Sequence, residues 1–225
     1  MKSAAFNTIR AASEYKGQKC SANSRIYVAE SVWPEFKHHL QEQISQLRVG
    51  DVEDYGNFIN PVIQECSFDK LQNIIESAKN DLESEVVTGG KASKEEGYYV
   101  HPIIYKTSSP RHDIISQEIF SPILGVYVYP DTEWEETLKF VDTTSRYQYA
   151  LRQAQTALKH SAGMLYLNTK CTGSVVGQQP FGGSRDSGTN YKTGTMAHWQ
   201  RFVSTRTVNE EFRPLEKVQY SLNEV

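Results

Sequence analysis

The chain has 225 residues, 38% of them hydrophobic, and this length predicts a globular protein that buries a substantial core. Its formal net charge of -3 comes from interspersed acidic and basic residues, with no basic stripe for phosphates and no polybasic tract for a membrane surface. No apolar run approaches the ~18 to 20 residues that a membrane-spanning helix needs. The composition therefore argues against nucleic acid and membrane partners.

The metal-binding and redox residues are sparse. Cys20, Cys66 and Cys171 are too few and too scattered for a disulfide framework, and none belongs to a Cys-x-x-Cys pair, which favours a reducing compartment. His38 and His39 are adjacent, and adjacent helical residues point to different faces. We interpret the two histidines as solvated surface and predict no metal site.

The first 15 residues have helix-like apolar spacing. Two basic residues and some Ser and Thr are also compatible with a short transit peptide. Because the segment runs without a break into the cysteine stretch, we interpret it as a helix of a protein that continues upstream, and not as a targeting signal.

Two amphipathic helices are predicted next. The first has an apolar stripe at spacings of three and four and ends at Gly50, and the second takes Ser67 as its N-cap. Both stripes are typical of core packing. Their residues are Trp33, Phe36, Leu40, Ile44 and Leu47 for the first helix, and Phe68, Leu71, Ile74, Ile75 and Ala78 for the second.

Strands and helices then alternate. Short β-branched and aromatic runs bounded by Gly or Pro predict strands, and Asp131 is expected to cap a helix that carries Trp134. A further helix around Leu158 is predicted to end at Gly163. The alternation predicts an α/β layered domain with a largely parallel sheet. The predicted strands are Ile-Tyr-Val at 26–28, EVVTGG at 85–90, GYYVHPIIY at 97–105, PILGVYVYP at 122–130 and MLYLN at 164–168.

After Asn168 the pattern fades into the segment TKCTGSVVGQQPFGGSRDSGTN, which is rich in Gly, Ser and Thr. A long irregular segment inside a compact domain is usually a functional loop or one packed on a partner.

Cys20 lies between a Gly-Gln-Lys turn and two small polar residues. A cysteine becomes a strong nucleophile where backbone N–H groups or a helix N-terminus favour its thiolate. Gly17 permits a close turn there, and Ser21 and Ala22 leave room for a substrate. The alternative is a buried structural cysteine, and the stretch alone favours neither. Cys66 and Cys171 have no such setting, and we predict no role for them.

Three motifs carry a family resemblance. GQKCSANSRIYV resembles the cysteine motif of aldehyde dehydrogenases, and QEIFSPILGVYVYP is similar to their Glu-Ile-Phe-Gly-Pro motif. KCTGSVVGQQPFGGSRDSGTN is similar to the substrate-anchor segment of the 1-pyrroline-5-carboxylate dehydrogenase branch, which oxidises glutamate γ-semialdehyde to glutamate. The motifs occur in the family's order and cover nearly the whole chain.

The resemblance implies a fold and an activity. It implies the three-layer α/β/α catalytic domain over residues 1–203, without the N-terminal dinucleotide-binding domain, and a C-terminal oligomerisation strand and tail over 204–225. It implies NAD as the cofactor, a small aldehyde as the substrate, a homo-oligomer or association with full-length subunits, and the mitochondrial matrix as the location.

The resemblance also implies residue roles. Cys20 would attack the aldehyde carbon, with its own backbone N–H among the oxyanion donors. Glu118 would accept hydrogen bonds from ribose hydroxyls, and Phe120 would pack near the nicotinamide. The substrate's amino acid end would be held by a Ser21 hydroxyl and by a glycine-rich loop. The loop residues are Gly173 and Ser174, whose N–H groups would bind the carboxylate, and Phe181, which would wall the aliphatic stem.

The chain departs from the family in several places. The upstream half is absent, and with it the asparagine of the oxyanion hole, the glutamate general base and most of the cofactor pocket. A strand of the family pattern is missing near Leu151, Ser121 stands where Gly is usual, and Ser13 and Lys16 replace aromatic and uncharged residues.

Three hypotheses follow. The first is the catalytic part of an NAD-dependent semialdehyde dehydrogenase, active only with an upstream polypeptide. The second is an inactive truncated or mis-spliced product that pairs with full-length subunits. The third is a cofactor-independent thiol hydrolase, which the lack of a histidine near the motifs disfavours. For the isolated chain we favour inactivity.

Overall fold

The computed structural model describes residues 1–144, 156–158 and 160–213. The elements that position the site are a mixed sheet and the helices on its two faces. The helices are α1 (Lys2–Ser13), α2 (Trp33–Ser45), α3 (Glu65–Ala78), α4 (Asp113–Ser116), α5 (Trp134–Thr143) and α6 (Met196–Trp199). The strands are β1 (Arg25–Ala29), β2 (Ser84–Gly89), β3 (Ala92–Ser93), β4 (Tyr99–Val100), β5 (Ile103–Thr107) and β6 (Ile123–Tyr129).

The main sheet has the strand order β1-β6-β5-β2. β6 pairs in parallel with both β1 and β5, whereas β2 pairs antiparallel with β5, and β3 and β4 form a separate two-stranded ribbon. The prediction of a largely parallel sheet is therefore confirmed, with β2 as its antiparallel edge.

Helices cover both faces of the sheet. Along β5, Ile103 and Tyr105 point into the cluster that holds α3, while Ile104 points into the cluster that holds α1 and α2. Successive strand residues face opposite sides, so a continuous apolar run is the expected sequence of a strand buried on both faces. The three-layer α/β/α architecture is confirmed. None of the helices among the described residues is long and apolar enough to cross a membrane.

The helix boundaries correct two predicted caps. α3 begins at Glu65 with Gln64 as its N-cap, so Ser67 lies inside the first turn. α5 takes Glu133 as its N-cap. The Asp131 carboxylate instead accepts hydrogen bonds from the backbone N–H and the hydroxyl of Ser31, at 3.0 and 2.5 Å. A tertiary contact with the turn after β1 thus replaces the local cap.

Three later predictions have different outcomes. Residues 164–168 form no strand, and the segment passes through a left-handed Asn168 with φ of 57°. Residues 204–213 are exposed and irregular in the described part of the tail, and their assignment to an oligomerisation strand stays a prediction. The missing strand near Leu151 and most of the helix predicted around Leu158 lie outside the described residues.

Candidate active site

A strained turn follows α1 and directly precedes the turn that carries the nucleophile candidate. Tyr15, Lys16 and Gly17 all have left-handed backbone, with φ of 53°, 62° and 66°. Such conformations are unfavourable for residues with a side chain and persist only where the surroundings hold them in place, often at functional sites. A Cβ at Gly17 would overlap the backbone carbonyl oxygen of Ser121, so this position requires glycine.

The next turn presents Cys20 to solvent. The Ala22 N–H donates to the Lys19 carbonyl at 3.0 Å and closes a turn around Cys20, which is exposed. The Asn23 N–H then donates to the carbonyl of Ala11 in α1 at 3.1 Å, and β1 begins two residues later. Backbone contacts therefore fix the turn on both sides of the exposed thiol.

A cavity of about 710 Å³ opens beside this turn. Its volume lies within the ~300 to 1,000 Å³ typical of small-molecule sites. Cys20, Glu118 and Phe120 line it together, as the resemblance implies. Its wall also includes Tyr166 and four residues of the irregular segment 168–194, the late segment, namely Asn168, Thr169, Lys170 and Cys171.

The segment that precedes β6 presents Glu118 and Phe120 to the cavity. Ile119 between them is buried in the core with 8% exposure, and its carbonyl accepts a hydrogen bond from Lys70 at 3.1 Å. Both of its neighbours are exposed. Phe120 adopts φ of 61°, and this left-handed residue turns the chain so that its ring, 43% exposed, borders the cavity.

The four predicted substrate-binding residues lie outside the cavity wall. Ser21 is buried, and its carbonyl accepts a hydrogen bond from the Cys171 thiol at 3.0 Å. The Ser174 hydroxyl lies 2.7 Å from that of Tyr166, which does line the cavity, and Gly173 packs near the same ring. Phe181 forms an isolated β-bridge with Thr193. Their roles in substrate binding stay predictions.

The structure adds a cluster that the motifs did not indicate. The Glu14 carboxylate accepts hydrogen bonds from Lys170 at 2.7 Å, Thr172 at 2.8 Å and Lys19 at 3.0 Å. Burial raises the pKa of this carboxyl, but the hydrogen bonds from Lys170, Thr172 and Lys19 outweigh burial and lower the pKa to about 2. The one feature of the sequence that pointed to Glu14 was its position six residues before Cys20.

The other two cysteines differ from Cys20. Cys171, for which the sequence predicted no role, lies in the cavity wall, and burial raises the pKa of its thiol to about 11. Cys171 is therefore a neutral hydrogen-bond donor at physiological pH and a poor nucleophile. Cys66 is exposed on α3, outside the cavity.

The adjacent histidines lie closer together than helical spacing predicts. The ring centroids of His38 and His39 are 5.5 Å apart, and ligand atoms of both rings and of Glu42 lie within 4.8 Å of one another. His39 contacts Glu42 at 3.4 Å and Glu35 at 3.8 Å. Two carboxylates therefore flank the His39 ring on the surface of α2.

Comparison with known proteins shows the family to which this fold and cysteine site belong. A sequence profile of the aldehyde dehydrogenase family matches residues 1–208, and the chain belongs to this family. The chain is 44% identical to the mitochondrial delta-1-pyrroline-5-carboxylate dehydrogenase of Dictyostelium discoideum, over 95% of this chain and 40% of that protein. The same identity is found with the mitochondrial delta-1-pyrroline-5-carboxylate dehydrogenase of Emericella nidulans, over 100% and 41%.

Solved structures give the same result. The crystal structure of the delta-pyrroline-5-carboxylate dehydrogenase of Mycobacterium tuberculosis bound with NAD matches with a TM-score of 0.86 and 37% identity. The match covers 99% of this chain and 42% of that one. The predicted resemblance is thus confirmed, and the chain spans about two fifths of the length of these relatives.

Proposed function

We propose that this chain is the cysteine-bearing part of an NAD-dependent dehydrogenase that oxidises glutamate γ-semialdehyde, the open form of 1-pyrroline-5-carboxylate, to glutamate. One observation carries the proposal. Cys20 is exposed on the turn that follows the left-handed residues 15–17, and it shares one cavity with Glu118 and Phe120, the residues that the family motifs pair with it. The identity of 44% to relatives named delta-1-pyrroline-5-carboxylate dehydrogenase supports the choice of substrate.

In this proposal Cys20 performs covalent catalysis. Its thiolate forms a bond to the aldehyde carbon, and the oxygen of the resulting thiohemiacetal accepts a hydrogen bond from the Cys20 backbone N–H. NAD, when bound, accepts the hydride that leaves this carbon. Water then hydrolyses the thioester on Cys20 and releases the carboxylate product with the free thiol.

The cofactor-side residues of the cavity fit the reactive end of NAD. A carboxylate offers acceptors only, and ribose hydroxyls are donors, so Glu118 can hold the ribose beside the cavity. The exposed ring of Phe120 provides an apolar face for the nicotinamide. The neighbouring Ile119 is buried in the core and so anchors the backbone that carries this ring. Both residues would therefore orient the cofactor toward Cys20.

The substrate side is assigned to the late segment. A hydrogen bond between Tyr166 and Ser174 links the glycine-serine turn to the cavity wall. The N–H groups of Gly173 and Ser174 and the Ser21 hydroxyl would bind the amino acid end of the substrate, while Phe181 walls its stem. A shift of the loop toward the cavity on substrate binding would bring these groups into contact.

A second function is favoured by the exposed apolar tail. Trp199 is 64% exposed, Phe202 70%, Val208 79% and Phe212 85%. Exposed apolar side chains of this size favour association with another surface. The chain would then be inactive alone and would associate with full-length subunits in the mitochondrial matrix. The names of several relatives, which call them mitochondrial, support a mitochondrial location.

The test compares the chain alone with a fusion. The 225-residue chain should reduce no NAD with glutamate γ-semialdehyde, because it spans about two fifths of the relatives. Fusion to the remaining upstream part of the Dictyostelium relative should give NADH formation, measured by absorbance. Turnover by the chain alone would contradict the requirement for an upstream part.

Cysteine variants of the fusion test the nucleophile. Cys20→Ser should lower turnover on the order of 10³-fold or more, because a serine hydroxyl is a far weaker nucleophile than a thiolate. Cys66→Ser changes a thiol on α3, outside the cavity, and should keep turnover. Equal activity of the two variants would remove Cys20 from the mechanism.

A further inference from the structure

Glu14 lies at the junction between the cysteine turn and the late segment. We propose that Glu14 is a positioning residue, which fastens the segment Lys170 to Thr172 against the turn that carries Cys20. The proposal rests on the proposed function, because it concerns the alignment of the same two halves of the site.

The contacts of Glu14 join parts of the chain that are far apart in sequence. One carboxylate oxygen accepts from Lys170, and the other accepts from Thr172 and Lys19. Lys170 and Thr172 flank Cys171 and are 156 and 158 residues away from Glu14, whereas Lys19 directly precedes Cys20. One carboxylate therefore holds both segments at once.

Side-chain hydrogen bonds, and not bonds between backbone groups, attach residues 169–174 to the cysteine turn. Among the described residues, no backbone hydrogen bond joins residues 169–174 to another segment. The hydrogen bonds that join these residues to the cysteine turn are those of Glu14 with Lys170 and Thr172, and that of the Cys171 thiol with the Ser21 carbonyl. Charge-assisted hydrogen bonds are roughly twice as strong as neutral ones, so the Glu14 contacts dominate this attachment.

The surroundings separate this cluster from an ordinary surface ion pair. The Glu14 side chain is 20% exposed, and those of Lys19 and Lys170 are 28% and 27% exposed. By contrast, the Glu76 and Lys79 side chains, a pair within one stretch of helix surface, are 57% and 59% exposed. Exposed pairs of that kind contribute little because solvent screens them.

The backbone of Glu14 is itself fixed, which a positioning residue requires. The residue directly follows α1 and begins the left-handed turn that ends with Gly17 against Ser121. A carboxylate on this rigid turn can orient the segment 170–172, which has less support of its own.

The three cysteines provide reporters for the test. The purified 225-residue chain is labelled with a maleimide at neutral pH, and the rate at each cysteine is resolved by mass spectrometry. In the unsubstituted chain the exposed Cys20 and Cys66 should react fast, and the partly buried Cys171 slowly. In Glu14→Gln the Cys171 rate should rise about tenfold or more, with the Cys66 rate unchanged.

Two further variants make the result specific. Glu76→Gln removes the same charge from an exposed pair and should leave the Cys171 rate unchanged. Lys170→Met should raise the Cys171 rate, and combining it with Glu14→Gln should add much less than the sum of the two effects, because both remove one contact. Fully additive effects would overturn the coupling of these two residues.

An unchanged Cys171 rate in a folded Glu14→Gln chain would overturn the proposal. If circular dichroism shows that this variant does not fold, Thr172→Val decides, since it leaves Glu14 and the cysteine turn intact. A rise in the Cys171 rate then supports the proposal and an unchanged rate overturns it. Labelling needs no turnover, so failure of the fused enzyme to oxidise the semialdehyde would count against the proposed function alone.

Discussion

The cysteine turn, residues 14–25, and the late segment, residues 168–194, border the same cavity but are held in different ways. The turn is fixed through its backbone. The Asn23 N–H donates to a carbonyl of α1, the Ser24 carbonyl accepts from an N–H of β6, and Gly17 packs against the backbone of Ser121. Backbone contacts of this kind position an atom closely, as a nucleophile requires.

The late segment is held mainly by side chains and is largely exposed. It contains left-handed Asn168, Arg185, Asn190 and Lys192 and a single short 3-10 turn at Arg185–Ser187. Segments with few buried apolar contacts open at low free energy. We infer that the two regions have different roles: the cysteine turn holds the nucleophile rigidly, and the proposed substrate-binding segment can change its conformation.

Gly17→Ala should produce the largest effect, because it disrupts the backbone of the rigid cysteine turn. The substitution forces a side chain into φ of 66° and into the backbone of Ser121, and should lower the free energy of unfolding by at least about 2 kcal/mol. Denaturant unfolding measures this change.

Gly173→Ala is the matched control in the late segment. Its added Cβ would lie 3.6 Å from the Tyr166 ring, which is ordinary van der Waals contact, and its φ is outside the left-handed region. The free energy of unfolding should change by less than about 0.5 kcal/mol. Equal losses in the two variants would contradict the different rigidity of the two segments.

Acid should loosen the late segment before the cysteine turn. The Glu14 pKa is about 2 in the folded chain and 4.5 for an unperturbed glutamate. Because the folded value is the lower one, the stabilisation is complete above pH 4.5 and is lost as the pH falls from 4.5 toward 2.

The measurement is Cys171 labelling by a pyridyl disulfide, which reacts with thiols in acid, relative to labelling of Cys66. The ratio should rise as the pH falls through this window, and Glu14→Gln should already show the high ratio at pH 4.5. A parallel rise in Glu14→Gln would assign the acid response to other carboxyl groups.

Ser121→Ala should have the smallest effect. The Ser121 hydroxyl is buried and has no hydrogen-bond partner among the described atoms, whereas its backbone oxygen is the atom that Gly17 packs against. Removing the unpaired hydroxyl should raise the free energy of unfolding by up to about 1 kcal/mol and leave Cys20 labelling unchanged. A loss of stability would show that the side chain, and not the backbone, supports the turn.

Much of the fold could be predicted because the spacing of apolar residues along the sequence shows which faces of helices and strands are buried. The stripe of Phe36 and Leu40 predicted α2. The run at 97–105 predicted a single strand, which the structure divides into β4 of the small ribbon and β5 of the main sheet. Local signals failed where a tertiary contact was stronger, as for Asp131, which binds Ser31 from 100 residues away. The apolar run at 164–168 failed because β-propensity needs a neighbouring strand to pair with.

The site was predictable to the extent that motifs mark it. Cys20, Glu118 and Phe120 belong to short motifs and meet in one cavity. Glu14 could not be predicted, because its partners lie more than 150 residues away and an isolated glutamate after a helix is unremarkable in sequence. Gly17 signalled a turn, but the left-handed backbone of Tyr15 and Lys16 contradicts their residue types and had no signal.

The exposure of Trp199 also gives the chain a built-in optical reporter. Trp199 is in the apolar tail, while Trp33, the first residue of α2, is partly buried and Trp134 lines the cavity. Iodide should quench Trp199 emission first, and a partner that covers the tail should shield that indole while leaving the other two unaffected. Association and cavity binding can thus be followed as two separate fluorescence signals from one unlabelled sample.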